Sequence, residues 1–461
     1  MLTLKNSRKN KIKKNVTNNH CKSKTPNAKR QTPKRQTECI ASLHKNQNPD
    51  PPMIPFSPPR IDQKIIDEVV DTLRSGWITT GPKTKLFEKK IAEYCSVDSV
   101  ICLNSATAGL ELMLRWLGVK GGDEVILPAY TYSATANVIV HCGAVPVFVD
   151  VKDDFNIDPE KVKKAITSRT KVIMPVDFGG WPCDYNSLNS LVSEENIKKM
   201  FIAETDEQQK LGRILILSDA AHSLGARYEG QRTGSLTDCS VFSFHAVKNL
   251  TTAEGGAIAL NLPAPFNNKE IYSNLCIKSL HGQNKDALSK MKAGSWKYDI
   301  VEAGYKMNMT DIQASMGLVE LNRYEEDTLV RRKEICKKYE SAFNNKKWAI
   351  VPPQENITLR SISSFHLFAL RIEGISEFTR DRIIQKISEK GVSVNVHFIP
   401  VPMMSFYKKM GFDIKNYPVA YLQYSNEISL PVFYDISNEQ ISYVIQTVIS
   451  TVEEEKLKTI L

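Results

Sequence analysis

The sequence predicts an α/β fold with a mostly parallel sheet covered by helices on both faces. Short runs that are apolar throughout alternate with segments of helical periodicity, the pattern of strands buried on both sides. A content of 42% hydrophobic and 24% charged residues is ordinary for a globular protein. At 461 residues the chain exceeds one average domain, so we expect two domains.

Residues 1–53 differ from the rest of the chain in composition. They hold 13 Lys and Arg against two acidic residues, and no aromatic residue. Such a segment cannot bury enough apolar area to offset the entropy of ordering, so we predict a disordered basic tail. A nucleic-acid or membrane-surface arm is the alternative, and the lack of interleaved aromatics disfavours it. The other residues hold 48 basic and 49 acidic groups, and this balance disfavours nucleic-acid binding.

The predicted large domain covers residues 54–325. Apolar residues at helical spacing predict a first helix that ends at Gly76. A further helix is expected at 133–142, and residues 186–212 are typical of polar, helical surface structure. Seven apolar runs are predicted as strands, at residues 100–103, 125–127, 145–149, 172–176, 214–217, 239–242 and 257–260.

The predicted second domain covers residues 326–461 and is a smaller α+β unit. One long helix from Thr310 to about Asn345 is expected to lead into it. Within it we predict a strand at 365–372, a helix at 377–389 and a closing helix at 441–452.

The cysteines and the apolar runs indicate the compartment. Nine cysteines are scattered with no Cys-x-x-Cys pair, so neither a metal site nor a disulfide framework is expected. No apolar run approaches the roughly 20 residues of a membrane span. The first residues also lack the apolar core of a secretory signal. We therefore expect a cytoplasmic protein.

A turn of small residues, NSATAG at 104–109, joins the first predicted strand to a helix. Free backbone N–H groups at a helix start suit a phosphate. Tight packing is the alternative interpretation of such a turn when it occurs alone.

An acidic residue, Asp219, ends an apolar strand in the segment SDAAH at 218–222. A buried carboxylate is costly unless it meets a cation, and a protonated pyridine nitrogen is such a cation. A helix N-cap is the simpler interpretation of this residue taken singly.

A lysine, Lys248, follows another apolar strand in the segment SFHAVKN at 243–249, with Gly255 and Gly256 shortly after. Desolvation would lower the pKa of this lysine and favour the neutral amine that attacks an aldehyde. Ser243 could donate to a phosphate where the glycines let the backbone approach. A snorkelling surface lysine is the alternative. The three motifs occur in order on successive strands, which favours one shared site.

The chain resembles the DegT/DnrJ/EryC1/StrS family from residue 54 onward. The resemblance is carried by SGWITTGPKTKLFEKKIAEY (75–94), NSATAGLEL (104–112), LPAYTYSATANVI (127–139), SDAAHSLGA (218–226), SFHAVKNLTTAEGGAI (243–258) and GYKMNMTDIQASMGLVEL (304–321). It implies the PLP-dependent transferase fold type I (aspartate aminotransferase-like), with a seven-stranded, mostly parallel sheet and a smaller C-terminal domain.

The resemblance implies a cofactor, pyridoxal 5′-phosphate, and a role for each matching residue. Lys248 would form the Schiff base and shuttle protons, and Asp219 would pair with the pyridine nitrogen. The other expected cofactor contacts are His222 at the ring or its 3-hydroxyl, Tyr132 on the ring face, and Ala106, Thr107 and Ser243 at the phosphate.

The resemblance also implies a partner subunit and substrate contacts. Asn308 matches a position that reaches the phosphate from the neighbouring subunit, so a homodimer with shared sites is expected. Thr80 and Gly81 match a loop near the substrate, and His397 matches a histidine near the sugar or its phosphates. The segment PVPMM at 400–404 departs from the histidine-rich version of the family, which bears on sugar recognition.

The expected activity is transfer of an amino group, with glutamate as donor, to a nucleotide-linked keto sugar for a surface polysaccharide or glycoconjugate. Dehydratases of the same family are the alternative, but they typically carry histidine where this chain has Lys248. A non-catalytic, cofactor-binding regulator is a second alternative, and no helix-turn-helix pattern in residues 1–53 supports it.

Overall fold

The structure is a computed structural model that describes residues 53–285 and 296–460. Apart from residue 53, the predicted disordered tail lies outside the described residues, so it stays a prediction. The strands, in chain order, are β1 (Ser99–Leu103), β2 (Glu124–Pro128), β3 (Val145–Val149), β4 (Thr170–Ile173), β5 (Leu215–Asp219), β6 (Arg227–Tyr228), β7 (Gln231–Arg232), β8 (Cys239–Ser243), β9 (Gly256–Leu260), β10 (Ala349–Ile350), β11 (Glu355–Asn356), β12 (Ser361–Ile362), β13 (Phe368–Ile372) and β14 (Glu427–Leu430).

Helices surround these strands, and most begin at a side chain that accepts a hydrogen bond from the first turn. They are α1 (Gln63–Arg74), α2 (Pro82–Cys95), α3 (Ala106–Trp116), α4 (Ser133–His141), α5 (Pro159–Ala165), α6 (Tyr185–Ser193), α7 (Glu195–Met200), α8 (Asp206–Leu211), α9 (Asn268–Ser279), α10 (Asp311–Asn322), α11 (Leu329–Phe343), α12 (Glu377–Glu389), α13 (Ser405–Lys409), α14 (Pro418–Asn426) and α15 (Asn438–Ile460).

The main sheet has seven strands in the order β1-β9-β8-β5-β4-β2-β3. The pairs among β2, β3, β4, β5 and β8 are parallel, and β9 runs antiparallel to both of its neighbours. The predicted mostly parallel seven-stranded sheet is therefore confirmed. The predicted strands are all present, and the largest shift is at β4, which covers Thr170–Ile173 instead of 172–176.

One edge of this sheet gathers the chain segments that the motifs singled out. Asp219 at the end of β5 lies beside Val241 of β8, and Ser243 at the end of β8 lies beside Gly256. Leu103, at the end of β1, pairs with the same Gly256, and α3 begins three residues later. The carboxyl ends of β1, β5 and β8 thus meet at one place, where ligands of open α/β sheets bind.

A second, antiparallel sheet lies in the C-terminal part of the chain, in the order β10-β13-β14. It has its own apolar cluster, with residues of α11, α12 and α15. A small four-stranded sheet, β11-β12-β6-β7, joins this part to the segment after β5. The 325/326 boundary between two domains remains a proposal that the separate sheets support.

The prediction of one long helix from Thr310 to about Asn345 is wrong. Helix α10 ends at Asn322, a π-helical turn covers Tyr324–Thr328, and α11 follows. Arg323 bonds the carboxylate of Asp62, and the Tyr324 hydroxyl donates to the Leu224 carbonyl at 2.8 Å. These long-range contacts stabilise the interruption of the helix, and the spacing of apolar residues in the sequence does not reveal them.

Two further features are the state of the cysteines and the length and apolar character of the helices. The cysteines of the described part, seven in all, carry free thiols. None of the helices within residues 53–285 and 296–460 combines the length and the apolar character that crossing a bilayer requires.

Candidate active site

A cavity of about 410 Å³ lies at the carboxyl edge of the main sheet, in the size range of ligand sites. Asp219 and Lys248 both line it, so the acid and the amine face one space. The other predicted residues that line it are Ala106, Thr107, Tyr132, His222, Ser243 and His397.

The start of α3 forms an anion cradle on one side of this cavity. The Ser105 hydroxyl accepts from the Ala108 amide at 3.1 Å, and the Ala106 and Thr107 amides have no acceptor among the described residues. A Cβ added at Gly256 would lie 2.4 Å from the Ala106 nitrogen, so only glycine permits this approach. Free amides at a helix start fit a phosphate group.

Asp219 is a buried carboxylate with 6% of its surface exposed. The Thr135 hydroxyl donates to its Oδ2 at 2.8 Å, and the Ala221 amide donates to Oδ1 at 3.3 Å. Burial raises the pKa of Asp219, against the lowering effect of these donors and of Lys248. In the described part of the chain it has no ion-pair partner, so a cationic ring nitrogen fits its environment.

Lys248 lies in the loop between β8 and β9, and its backbone amide donates to the His245 carbonyl at 2.9 Å. Removal from water lowers the pKa of its ammonium to about 8, while the charge of Asp219 acts in the opposite direction. A substantial fraction of neutral amine is therefore present near neutral pH, as attack on an aldehyde requires.

Two buried histidines close the floor of the cavity. The ring of His222 lies 4.4 Å from that of His366, and its Nδ1 accepts from the Gly179 amide at 3.2 Å. The proton of a neutral His222 is therefore on Nε2. Burial, and then the charge of Lys248 for His222 and the neighbouring His222 ring for His366, hold both pKa values well below the usual range. Both rings are neutral.

Tyr132 stands at the mouth of the cavity, with 60% of its surface exposed. It precedes α4, and its ring centroid lies 5.8 Å from that of Phe398. An exposed aromatic face at this place can cover a planar ligand.

The model of the DegT/DnrJ/EryC1/StrS aminotransferase family matches residues 59–449. The chain belongs to this family. The predicted fold class, PLP-dependent transferase fold type I, is thereby confirmed together with the observed sheet.

The chain matches several known proteins over nearly the whole length of each. An uncharacterized protein of Methanocaldococcus jannaschii, MJ1066, is 40% identical, over 87% of this chain and 98% of its own. The spore coat polysaccharide biosynthesis protein SpsC of Bacillus subtilis is 36% identical, over 86% and 96%. Spr1654 of Streptococcus pneumoniae, assigned as a sugar aminotransferase and solved in PMP and PLP forms, is similar with a TM-score of 0.83; its PMP form is 48% identical over 87% of this chain and 100% of that one.

The DegT/DnrJ/EryC1/StrS family uses pyridoxal 5′-phosphate, which is therefore the cofactor of this chain. The residues present fit it. The free amides of Ala106 and Thr107 suit its phosphate, the unpaired carboxylate of Asp219 suits its ring nitrogen, and the amine of Lys248 lies in the same cavity.

Three predicted site residues lie outside the cavity lining of this family member. The Asn308 amide donates to the Thr80 hydroxyl at 2.6 Å, and that hydroxyl donates to the Met309 carbonyl. The Gly81 amide donates to a carboxylate oxygen of Asp311 at 2.8 Å. These residues form a cluster next to the cavity, since Asn308 pairs with Leu103, three residues before the amide cradle, but none of the three lines the cavity.

Sequence reasoning missed several side chains around the cavity. Thr135 gave no signal, because its contact with Asp219 joins positions 84 apart. His366 gave one, since it is a polar residue inside the apolar start of the predicted strand 365–372. Asn249, directly after Lys248, holds Nδ1 of that histidine at 2.9 Å.

Proposed function

We propose that the chain transfers an amino group from an amino acid, with glutamate as the expected donor, to the keto group of a nucleotide-linked sugar. The product would be an amino sugar for a surface polysaccharide or other glycoconjugate. The observation that carries the proposal is one cavity shared by Asp219, Lys248 and the amide cradle at the start of α3.

Each of these residues has a task that its surroundings suit. Ala106, Thr107 and Ser243 would hold the phosphate of the cofactor at the sheet edge. Asp219 would pair with its ring nitrogen and favour the protonated form of that nitrogen. The bound cofactor supplies a carbonyl for an amine and a ring that withdraws electrons from the carbon being deprotonated.

Lys248 moves the proton in this proposal. Its Nζ removes a proton from the donor's α-carbon and, in the second half-reaction, delivers one to the sugar carbon that becomes aminated. A pKa near 8 suits both directions, because base and acid forms are both populated at neutral pH. His222 and His366 are neutral, so they leave Lys248 as the proton carrier at this place.

The sugar part of the proposal rests on the relatives. SpsC is named for spore coat polysaccharide biosynthesis, and a Helicobacter pylori relative, PseC, for biosynthesis of pseudoaminic acid. PseC is 27% identical to this chain with a TM-score of 0.75. A nucleotide remote from the reacting carbon would supply binding energy without blocking the chemistry.

A homodimer with shared sites completes the proposal. Thr80, Gly81 and Asn308 lie outside the cavity of their own chain, and we assign them to the cavity of a second copy. The free thiols of the described cysteines support a reducing, cytoplasmic setting.

A two-stage assay tests the proposal on the full chain loaded with cofactor. Glutamate alone should bleach the visible absorbance and release 2-oxoglutarate. A panel of nucleotide-linked 3- and 4-keto hexoses should then restore the absorbance, and mass spectrometry should identify an amino sugar. Amination of free keto sugars or keto acids, with no nucleotide-linked compound accepted, would overturn the substrate class. Lys248→Ala is the negative control.

A further inference from the structure

A buried carboxylate lies behind His397 and reaches it through a hydroxyl group. Glu427 opens β14 and is fully buried. Its Oε2 accepts from the His397 backbone amide at 3.0 Å, and its Oε1 accepts from the Ser429 hydroxyl at 2.5 Å. The same Ser429 oxygen lies 2.9 Å from Nδ1 of His397. The three side chains form a line from the protein interior to the cavity.

The ring of His397 is held in one orientation with one nitrogen free. Phe56 stacks on it at 5.4 Å with an interplanar angle of 24°, and Ser429 occupies Nδ1. Within the part of the chain that the structure describes, Nε2 has no hydrogen-bond partner, and the ring lines the cavity beside Lys248. Burial, followed by the charge of Lys248, lowers the pKa of His397 to about 3, so the ring is neutral and carries one proton.

The position of that proton follows from the single hydrogen of Ser429. If Glu427 is ionised, Ser429 donates to the carboxylate and its oxygen must accept from Nδ1–H of His397, which leaves a lone pair on Nε2. If Glu427 is protonated, it donates to Ser429, the hydroxyl turns to Nδ1, and the ring proton sits on Nε2. The ring keeps one proton in both states, and only its position changes.

We propose that Glu427 selects the tautomer of His397 through Ser429, and so decides whether Nε2 accepts from or donates to a hydroxyl group of the sugar. Glu427 is then a positioning residue that acts through another side chain. The inference rests on the proposed function for the nature of the ligand, whereas the coupling of the three side chains does not depend on it.

The surroundings of Glu427 allow both ionisation states. Arg380 donates to the backbone carbonyl of Glu427 at 3.2 Å. Arg371 acts on the Glu427 carboxyl group only through its charge. Tyr130, the remaining titratable neighbour, donates to the His397 carbonyl at 2.6 Å. No ion pair to Glu427 occurs within the described ranges.

Burial raises the pKa of Glu427 to about 8, against the lowering effect of Ser429, the His397 amide, Arg380 and Arg371. The charged or titratable groups that face His397 are Lys248, His222 and His366. His397 itself stays neutral far above its own pKa, but Lys248 also titrates near pH 8, so a change of the His397 ring near that pH is assigned to Glu427 only if Glu427→Gln abolishes it.

Nitrogen-15 NMR of histidine-labelled protein tests the coupling without any substrate. His397→Gln assigns the signals by their loss. In the native chain the ring proton of His397 should move from Nε2 to Nδ1 as the pH rises from about 6 to about 10, with a midpoint near 8. One tautomer throughout that range would overturn the proposal.

Two variants sharpen the measurement. Glu427→Gln should abolish the pH dependence and hold the proton on Nε2, because its amide NH₂ donates to Ser429 while its oxygen accepts the His397 amide. Ser429→Ala keeps Glu427 but removes the connecting hydroxyl, so the tautomer should no longer follow pH. A native-like titration in either variant contradicts the proposed path.

The functional arm measures the two half-reactions separately. Glu427→Gln should lower kcat/KM of the keto-sugar half-reaction by about tenfold to a hundredfold, the usual effect of a mismatched hydrogen bond to a ligand. The glutamate half-reaction should change by no more than about twofold. Equal losses in both would overturn the role in sugar recognition. A failure of the proposed function would appear instead as no sugar turnover in the native chain, with the tautomer titration unaffected.

Discussion

The amide oxygen of Asn249 lies 2.9 Å from Nδ1 of His366, and this bond joins the loop of Lys248 to the C-terminal part of the chain. The Asn249 amide also donates to the Ser364 carbonyl at 2.7 Å. On the other side, Arg332 donates to the His366 carbonyl at 2.7 Å. The position of the amine therefore depends on a segment more than a hundred residues away.

Replacement of Asn249 tests this dependence. Asn249→Ala leaves His366 and the Ser364 carbonyl without their partners, so the free energy of unfolding should fall by about 1–3 kcal/mol. Because Lys248 loses its fixed position, the glutamate half-reaction should slow by about tenfold or more. Denaturant unfolding and stopped-flow absorbance measure the two effects.

Asn189→Ala is the matched control for this variant. Its amide donates to the Leu236 carbonyl at 2.9 Å, and neither residue lines the cavity. It should lose stability without slowing the half-reaction. Equal slowing in both variants would show that the effect comes from general loosening and not from the anchor of Lys248.

The pKa of Lys248 predicts a pH dependence for cofactor capture. Burial lowers this pKa to about 8, so in the folded protein the neutral amine gains population as pH rises through that value. The rate of pyridoxal-phosphate capture by cofactor-free protein should therefore rise with a midpoint near pH 8. Stopped-flow absorbance gives the rate. A midpoint near that of a free lysine would contradict the prediction.

Three variants accompany this experiment. Lys248→Ala should abolish the borohydride-reducible covalent link to the cofactor, and a retained link would assign it to another lysine. Lys120→Ala, on the surface, should behave as the native chain. Asp219→Asn removes a charge that raises the pKa of Lys248, so the midpoint should move to lower pH.

The fold was largely predictable because its signal is local. Each strand of the main sheet is a short apolar run, and helix 377–389 was predicted with the bounds that the structure has. The exception, the break after Asn322, depends on Arg323 and Tyr324 contacting Asp62 and Leu224. Contacts between positions so far apart leave no trace in the periodicity of the segment.

Site residues were predictable only where a reactive or charged residue type stands out from its sequence neighbours. Asp219 and Lys248 stood out as charges that follow apolar strands. Thr135 and Ser429 are ordinary hydroxyl residues whose roles arise from a distant partner, the carboxylate of Asp219 or the ring of His397. Only the fold brings such pairs together.

Ionised Asp219 should lower the stability of the cofactor-free protein while it supports the reaction. Burial holds its pKa above the usual range, so the folded, cofactor-free protein loses stability as pH rises from the unfolded-state pKa towards the folded one. Asp219→Asn should therefore unfold at higher denaturant concentration at neutral pH. Its transamination rate should fall by about a hundredfold or more, because the ring nitrogen loses its anion.

Asp184→Asn provides the opposite case for stability. Hydrogen bonds from Ser187 and Tyr228 outweigh burial and hold the pKa of Asp184 below its usual value, so this replacement should destabilise the chain at neutral pH and leave the reaction rate unchanged. A loss of stability in Asp219→Asn equal to that in Asp184→Asn would show that Asp219 is an ordinary structural carboxylate.

Subunit complementation tests the shared site, because Asn308 and Lys248 would serve one cavity from different chains. Lys248→Ala and Asn308→Ala chains should each be nearly inactive alone. In a mixed dimer, one cavity combines the intact Lys248 of one chain with the intact Asn308 of the other, while the second cavity lacks both. Random pairing should therefore restore roughly a quarter of the native activity. Differently tagged chains, purified in tandem, isolate the mixed dimer and allow a direct assay. A mixed dimer that forms but stays inactive would show that Asn308 acts within its own chain, where it contacts Thr80.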